Sequence, residues 1–253
     1  MCAGDGRQRA HALPQDPRVR ARERREVSGP QEASLDVVAF DGPSGAGKST
    51  IAKGVASRLG WRHLDTGSMY RAATLWLLEH RVDPADIDAV ERSAATLALR
   101  LGDAGRVWLG EREVTRDLRR PEVDACVSVV SVIPVLRREM RGLQRAQAAQ
   151  GPLVAEGRDM TSVVFPDARW KFYIDAAAEE RARRRQGDYE RAGTTRDLAQ
   201  LLGEMLERDR LDTSRADSPL VRVPDAVYLD TTKCSAEQVV EEIVGRIERE
   251  RGG

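Results

Sequence analysis

The stretch GPSGAGKST, residues 42–50, places Gly42, Gly47, Lys48 and Ser49 in the spacing G-x-x-x-x-G-K-[ST]. Residues of these types at this spacing handle polyphosphates. The glycines let backbone N–H groups wrap phosphate oxygens, and a helix starting at the lysine adds its positive dipole end. Lys48 brings a point charge to the β- and γ-phosphates, and the Ser49 hydroxyl is the expected Mg²⁺ ligand. The whole loop (Gly42, Pro43, Ser44, Gly45, Ala46, Gly47, Lys48, Ser49 and Thr50) is the expected cradle of a nucleotide phosphate donor. Such a loop identifies a user of nucleoside triphosphate without naming the reaction. A GTPase needs an Asn/Thr-Lys-x-Asp guanine reader, and TTKCS at 231–235 has serine where the aspartate belongs. A remodelling ATPase needs a longer chain. A small kinase is left.

The acceptor has to be sought elsewhere. HLDTGSMYRAA, residues 63–73, reads as a short strand running into a helix whose opening turn carries Arg71. In a parallel sheet this strand ends beside the phosphate loop, so Asp65 to Arg71 line the acceptor's side of the cleft. AEGRDM, residues 155–160, sets Arg158 and Asp159 at the C-terminal end of a second buried strand, where ligands of such sheets bind.

The surrounding elements suit that placement. LDVVAF is an apolar run fit for a central strand, and KSTIAKGVASRLG follows as a helix with Ile51, Val55, Ala56 and Leu59 on one face and Gly60 as its cap. PLVAEG, WKFYIDA and AVYLD read as further buried strands, with helical stretches at 134–149, 176–185 and 194–211. A last helix opens on the capping-box pair Ser235 and Gln238. Alternating strands and helices predict an α/β fold with a central parallel sheet covered on both faces. Residues 98–114 break the alternation: short strands with glycine turns and no helix between them predict a small antiparallel insert.

Composition narrows the classes. The 253 residues carry no formal net charge, which gives no general attraction to nucleic acid or acidic membranes. Cys2, Cys126 and Cys234 lack metal-site or disulfide spacing, and no apolar run nears the length of a membrane span. These features predict a cytoplasmic protein. Residues 1–34, with Pro14, Pro17, Pro30 and the run RVRARERREV, predict a disordered tail, leaving 35–253 as the folded domain.

The motifs DGPSGAGKST, LDTGSMYR, LRRPEV, AEGRDMTSVVFPDA and RDRLDTSR occur in the order found in bacterial cytidylate kinases, and residues 36–250 resemble that family. The resemblance implies the three-layer P-loop NTPase fold with a monophosphate-binding insert at about 95–120 and a helical lid at about 181–192. It implies Mg²⁺-dependent transfer from ATP to CMP or dCMP by a monomer. Ser44, Arg71 and Arg158 would hold the acceptor phosphate; Ser128, Arg137 and Asp159 the cytosine edge; Arg208, Asp212 and Arg215 the sugar and its surroundings. Thr66 and Arg119, in the family's motifs, join the acceptor site, and Arg184 with its neighbours Arg183 and Arg185 belongs to the lid. Plainer readings compete: a structural ion pair for Asp159, a helix serine for Ser128, a solvated face for the three lid arginines. The alternatives in function are a kinase of UMP or of a sugar or shikimate-like acceptor, and a regulator that binds ATP without catalysis.

Overall fold

The computed structural model describes residues 35–102, 105–191 and 193–252; the tail expectation for 1–34 lies outside the described residues. β1 (Leu35–Asp41) is the middle strand of a five-stranded parallel sheet in the order β2-β6-β1-β7-β8, with β2 (Arg62–Asp65), β6 (Leu153–Glu156), β7 (Ala168–Asp175) and β8 (Val227–Asp230). Val37 to Phe40 are all buried, as a strand covered on both faces must be. Their side chains alternate between two cores. Val38 and Phe40 face α1 (Lys48–Leu59) and α8 (Ala236–Gly252), packing with Ile51, Val55 and Ile243. Val37 and Ala39 face α2 (Thr66–Glu79), α4 (Pro121–Val130) and α5 (Pro134–Ala148), packing with Met69, Leu77, Val127 and Met140. The parallel register Val37↔Leu153 and Phe40↔Phe172 brings the C-terminal ends of β1, β6 and β7 to one edge.

The caps follow the sequence. Gly60 ends α1 in the left-handed region, and Ser235 and Gln238 exchange hydrogen bonds before α8 (2.9 and 3.2 Å). Proline opens both α4 and α5, where its missing N–H costs nothing. A further helix, α3 (Ile87–Ala94), had no sequence counterpart; Asp86 caps it by accepting from Ala89 N at 2.9 Å.

The irregular segment is a three-stranded antiparallel sheet of β3 (Leu99–Leu101), β4 (Val107–Leu109) and β5 (Arg112–Glu113). Its Val107 and Leu109, with Val114 and Leu118, pack on Ala72 and Leu75 of α2. The insert thereby buttresses the helix that carries Arg71. The helical stretches expected at 176–185 and 194–211 are α6 (Ala178–Arg191) and α7 (Leu198–Ser214), which pack together. Among the described residues no helix is long and apolar enough to cross a membrane.

Candidate active site

β1 stops at Asp41 and the chain turns through the glycine loop into α1. Gly42 has φ 145°, and a Cβ there would lie 1.9 Å from the Ile174 carbonyl oxygen, so only glycine lets the loop pass β7. Gly47, at φ 90°, precedes α1 with no side-chain cap, leaving the helix's first N–H groups to a ligand. Lys48 is buried and its Nζ donates to Pro43 O at 2.7 Å. Burial, and then the neighbouring Arg158 guanidinium, hold its pKa well below the usual lysine range. Ser44 is held on both sides: its N–H donates to Asp209 (3.3 Å), and its carbonyl accepts from Arg181 (2.9 Å), itself paired with Asp209 at 2.6 Å. The bases of α6 and α7 thus grip the loop.

Two carboxylates stand beneath the loop. Asp41 accepts from Met160 N, Thr161 N and Thr161 Oγ1 at 2.9, 2.7 and 2.6 Å. Both its oxygens are occupied, and they pin the π-helical turn Met160–Val164 that follows Asp159. Full burial pushes the Asp41 pKa up to about 6. Glu156, at the end of β6, accepts from Ser49 Oγ at 2.7 Å and faces His63 Nε2 at 3.2 Å. Its carbonyl accepts from Thr66 Oγ1 at 2.7 Å, tying the start of α2 to β6.

Arginines form the opposite wall. Arg71 lies in the second turn of α2 and not the opening turn, because the helix begins at Thr66. It is buried, and its Nη1 donates to Asp124 (2.5 Å) and to Leu118 O (3.0 Å). Arg158 donates through Nε to Asp212 at 2.9 Å. Burial opposes ionisation of Asp212, but Arg158, Arg208 and Arg215 around it hold its carboxyl below the ordinary range. Arg208 is also pushed down, to about 10, by burial and the nearby Arg158, which for a guanidinium disfavours the charged form. Deeper in, Arg137 pairs with Asp159 at 2.6 Å and lies over the Tyr70 ring. Arg137 Nε and Arg215 Nη2 are buried without a hydrogen-bond partner among the described residues.

The loop, Glu156 and the arginine wall line one cleft of about 660 Å³; Asp41, His63 and Asp124 are not part of its lining. On its walls are Ser44, Gly45, Gly47, Lys48, Ser49 and Thr50 from the loop, and Thr66, Arg71, Arg119, Arg137, Arg158, Asp159, Arg208, Asp212 and Arg215 opposite. Arg183, Arg184 and Arg185 of α6 line it too. Arg184 is anchored, donating to Thr231 Oγ1 and O at 3.1 and 2.6 Å, while Arg183 pairs with Glu180. Gly42, Pro43 and Ala46 sit behind the lining. Ser128 is off it as well, its carbonyl accepting from Ser131 Oγ at 3.1 Å, and it is Ser131 that reaches the cleft.

Sequence reasoning passed over His63, Tyr70 and Glu156, which stand inside stretches it had marked, and Asp124, which nothing local distinguishes. Among the described residues no cluster of three metal-ligating side chains exists. A divalent ion here would take most of its ligands from phosphate and water, as Mg²⁺ does, and Ser49 backed by Glu156 fits that demand.

The family model described as cytidylate kinase matches residues 38–249. The cytidylate kinase of Solibacter usitatus is 47% identical over 220 residues, covering 85% of this chain and 93% of that protein. Those of Mycobacterium avium (46%; 82% and 92% covered) and Pelotomaculum thermopropionicum (43%; 85% and 96% covered) are similar. The chain belongs to the cytidylate kinase family.

Proposed function

We propose that this cleft transfers the γ-phosphoryl group of ATP to the phosphate of CMP or dCMP. The observation that carries the reading is the base end of the cleft. There a carboxylate, Asp159, stands beside two buried guanidinium N–H groups, Arg137 Nε and Arg215 Nη2, that have no hydrogen-bond partner among the described residues, Asp217 lying 3.8 Å from the first. Buried donors without acceptors are costly, and cytosine supplies acceptors at N3 and O2 beside the N4 amino donor that a carboxylate accepts. Uracil reverses part of that edge, presenting O4 to the carboxylate.

The donor's phosphates rest on the loop amides and Lys48. Ser44, Arg71 and Arg158 draw in the acceptor phosphate, which is largely dianionic at neutral pH with a second pKa of about 6. Its own oxygen attacks the γ-phosphorus while the bond to the bridging oxygen of ADP breaks, so no general base is required. Mg²⁺ bound at Ser49 would neutralise charge on the donor phosphates. The cations of both walls stabilise the charge of the transferring group, and the α6 arginines screen it from water. The free thiols Cys126 and Cys234 suit a reducing, cytoplasmic setting.

Steady-state rates with CMP, dCMP, UMP and AMP test the reading. CMP or dCMP should lead by at least tenfold. Tight ATP binding with no ADP formed from any monophosphate would replace the enzyme with a nucleotide-binding regulator.

A further inference from the structure

Asp124, on the first turn of α4, meets arginines from two walls of the cleft with a single oxygen. Its Oδ1 accepts from Arg71 Nη1 at 2.5 Å and lies 3.8 Å from Arg185 Nη2. Arg71 rises from α2 and Arg185 from α6, so one carboxylate stands where the acceptor-side helix and the lid helix converge. Among the described residues only Nη1 of Arg71 is hydrogen-bonded, to Asp124 and to Leu118 O, although the side chain lines the cleft. That division of labour fixes the plane of the guanidinium and leaves Nε and Nη2 for a ligand, the fork that suits a phosphate. A guanidinium held by nothing would lose several rotamers on binding; this one has already lost them. Asp124 is itself about a quarter exposed.

We propose that Asp124 is a positioning residue for the acceptor phosphate: it fixes Arg71 and docks Arg185, acting through them without touching the substrate. The inference rests on the kinase reading above and adds a residue to it. A plainer role exists, since an acid in the first turn favours α4 through the helix dipole. A second is plain repulsion, the carboxylate weakening phosphate binding by its charge. The three make different demands on variants.

The experiment is a double-mutant cycle on the full chain: Asp124→Ala, Asp124→Asn, Arg71→Ala and Arg71→Ala/Asp124→Ala, with CMP and ATP kinetics, calorimetric CMP binding and a melting temperature for each. Asp124→Ala should raise KM for CMP by roughly ten- to a hundredfold, the factor expected for a charge-assisted hydrogen bond, and leave KM for ATP within about twofold. Asp124→Asn, which keeps an acceptor oxygen, should recover most of that loss. In the Arg71→Ala background, Asp124→Ala should add only the smaller loss that comes from undocking Arg185. Equal losses in both backgrounds would overturn the proposal in favour of a helix-stabilising role. Tighter CMP binding in both Asp124 variants would overturn it in favour of repulsion. A parent that does not phosphorylate CMP would remove the kinase reading and this role together, whereas a parent active on CMP with an additive cycle removes this role alone.

Discussion

Arg137 and Asp159 form a 2.6 Å ion pair with side chains only 3% and 7% exposed, at the base end of the cleft. The structural-pair reading of Asp159 and its proposed base-reading role therefore coexist: one oxygen serves Arg137 and the other is available to an amino group. Asp159→Asn should lower kcat/KM for CMP by roughly one to two powers of ten, the value of a charge-assisted hydrogen bond. UMP should lose less, because its O4 faces a carboxylate in the parent and an amide donor in the variant. Acceptor kinetics on both nucleotides read the outcome; equal losses would reduce Asp159 to a support for Arg137.

Lys48 is a desolvated cation whose hydrogen bond goes to a carbonyl of its own loop. Folding gains little from such a group, whereas the proposed transfer would use its charge. Lys48→Met should cut kcat by about a hundredfold or more and leave the melting temperature unchanged or raised. Calorimetry beside a rate assay checks both halves, and a clear fall in melting temperature would contradict the second.

Asp212 is the carboxylate among Arg158, Arg208 and Arg215, and its folded-state pKa is depressed. A depressed carboxylate contributes stability above its unfolded pKa and loses it as pH falls through the folded value. Asp212→Asn should therefore cost about 2–4 kcal/mol at pH 7, with the gap to the parent closing below pH ~4. Inorganic phosphate should restore part of the loss by giving the guanidinium groups another anion. Urea unfolding at pH 7 and below pH 4, with and without phosphate, measures it; a gap independent of pH would contradict the assignment.

Gly42→Ala should be poorly tolerated even with conservative chemistry. The added methyl meets the Ile174 backbone oxygen at 1.9 Å, so the loop has to shift away from β7. A loss of about 1–3 kcal/mol is expected from overpacking, together with weakened ATP affinity. Gly60→Ala makes the contrast, since space is open around Gly60 and the cost is only its left-handed backbone. Chemical denaturation of both variants gives the comparison.

Much of this protein is determined by local sequence. Apolar runs too continuous for a half-exposed strand dictate a sheet covered on both faces, and Val37 to Phe40 obey it. The loop Gly42–Ser49 dictates its own geometry because few residues tolerate its backbone angles, and the motif around Arg158 and Asp159 inherits its place from the strand before it. What only the tertiary structure decided are contacts between residues far apart in the chain. Arg71 meets Asp124 across 53 positions, and Ser49 meets Glu156 across 107. Asp124 stands where an acid is unremarkable, His63 opens a stretch marked for other residues, and nothing local says which way either turns. The same holds for Ser131, which lines the cleft while Ser128, three positions before it, does not. Side-chain direction in a cleft is set by the sum of its walls, and those walls come together only when the sheet closes.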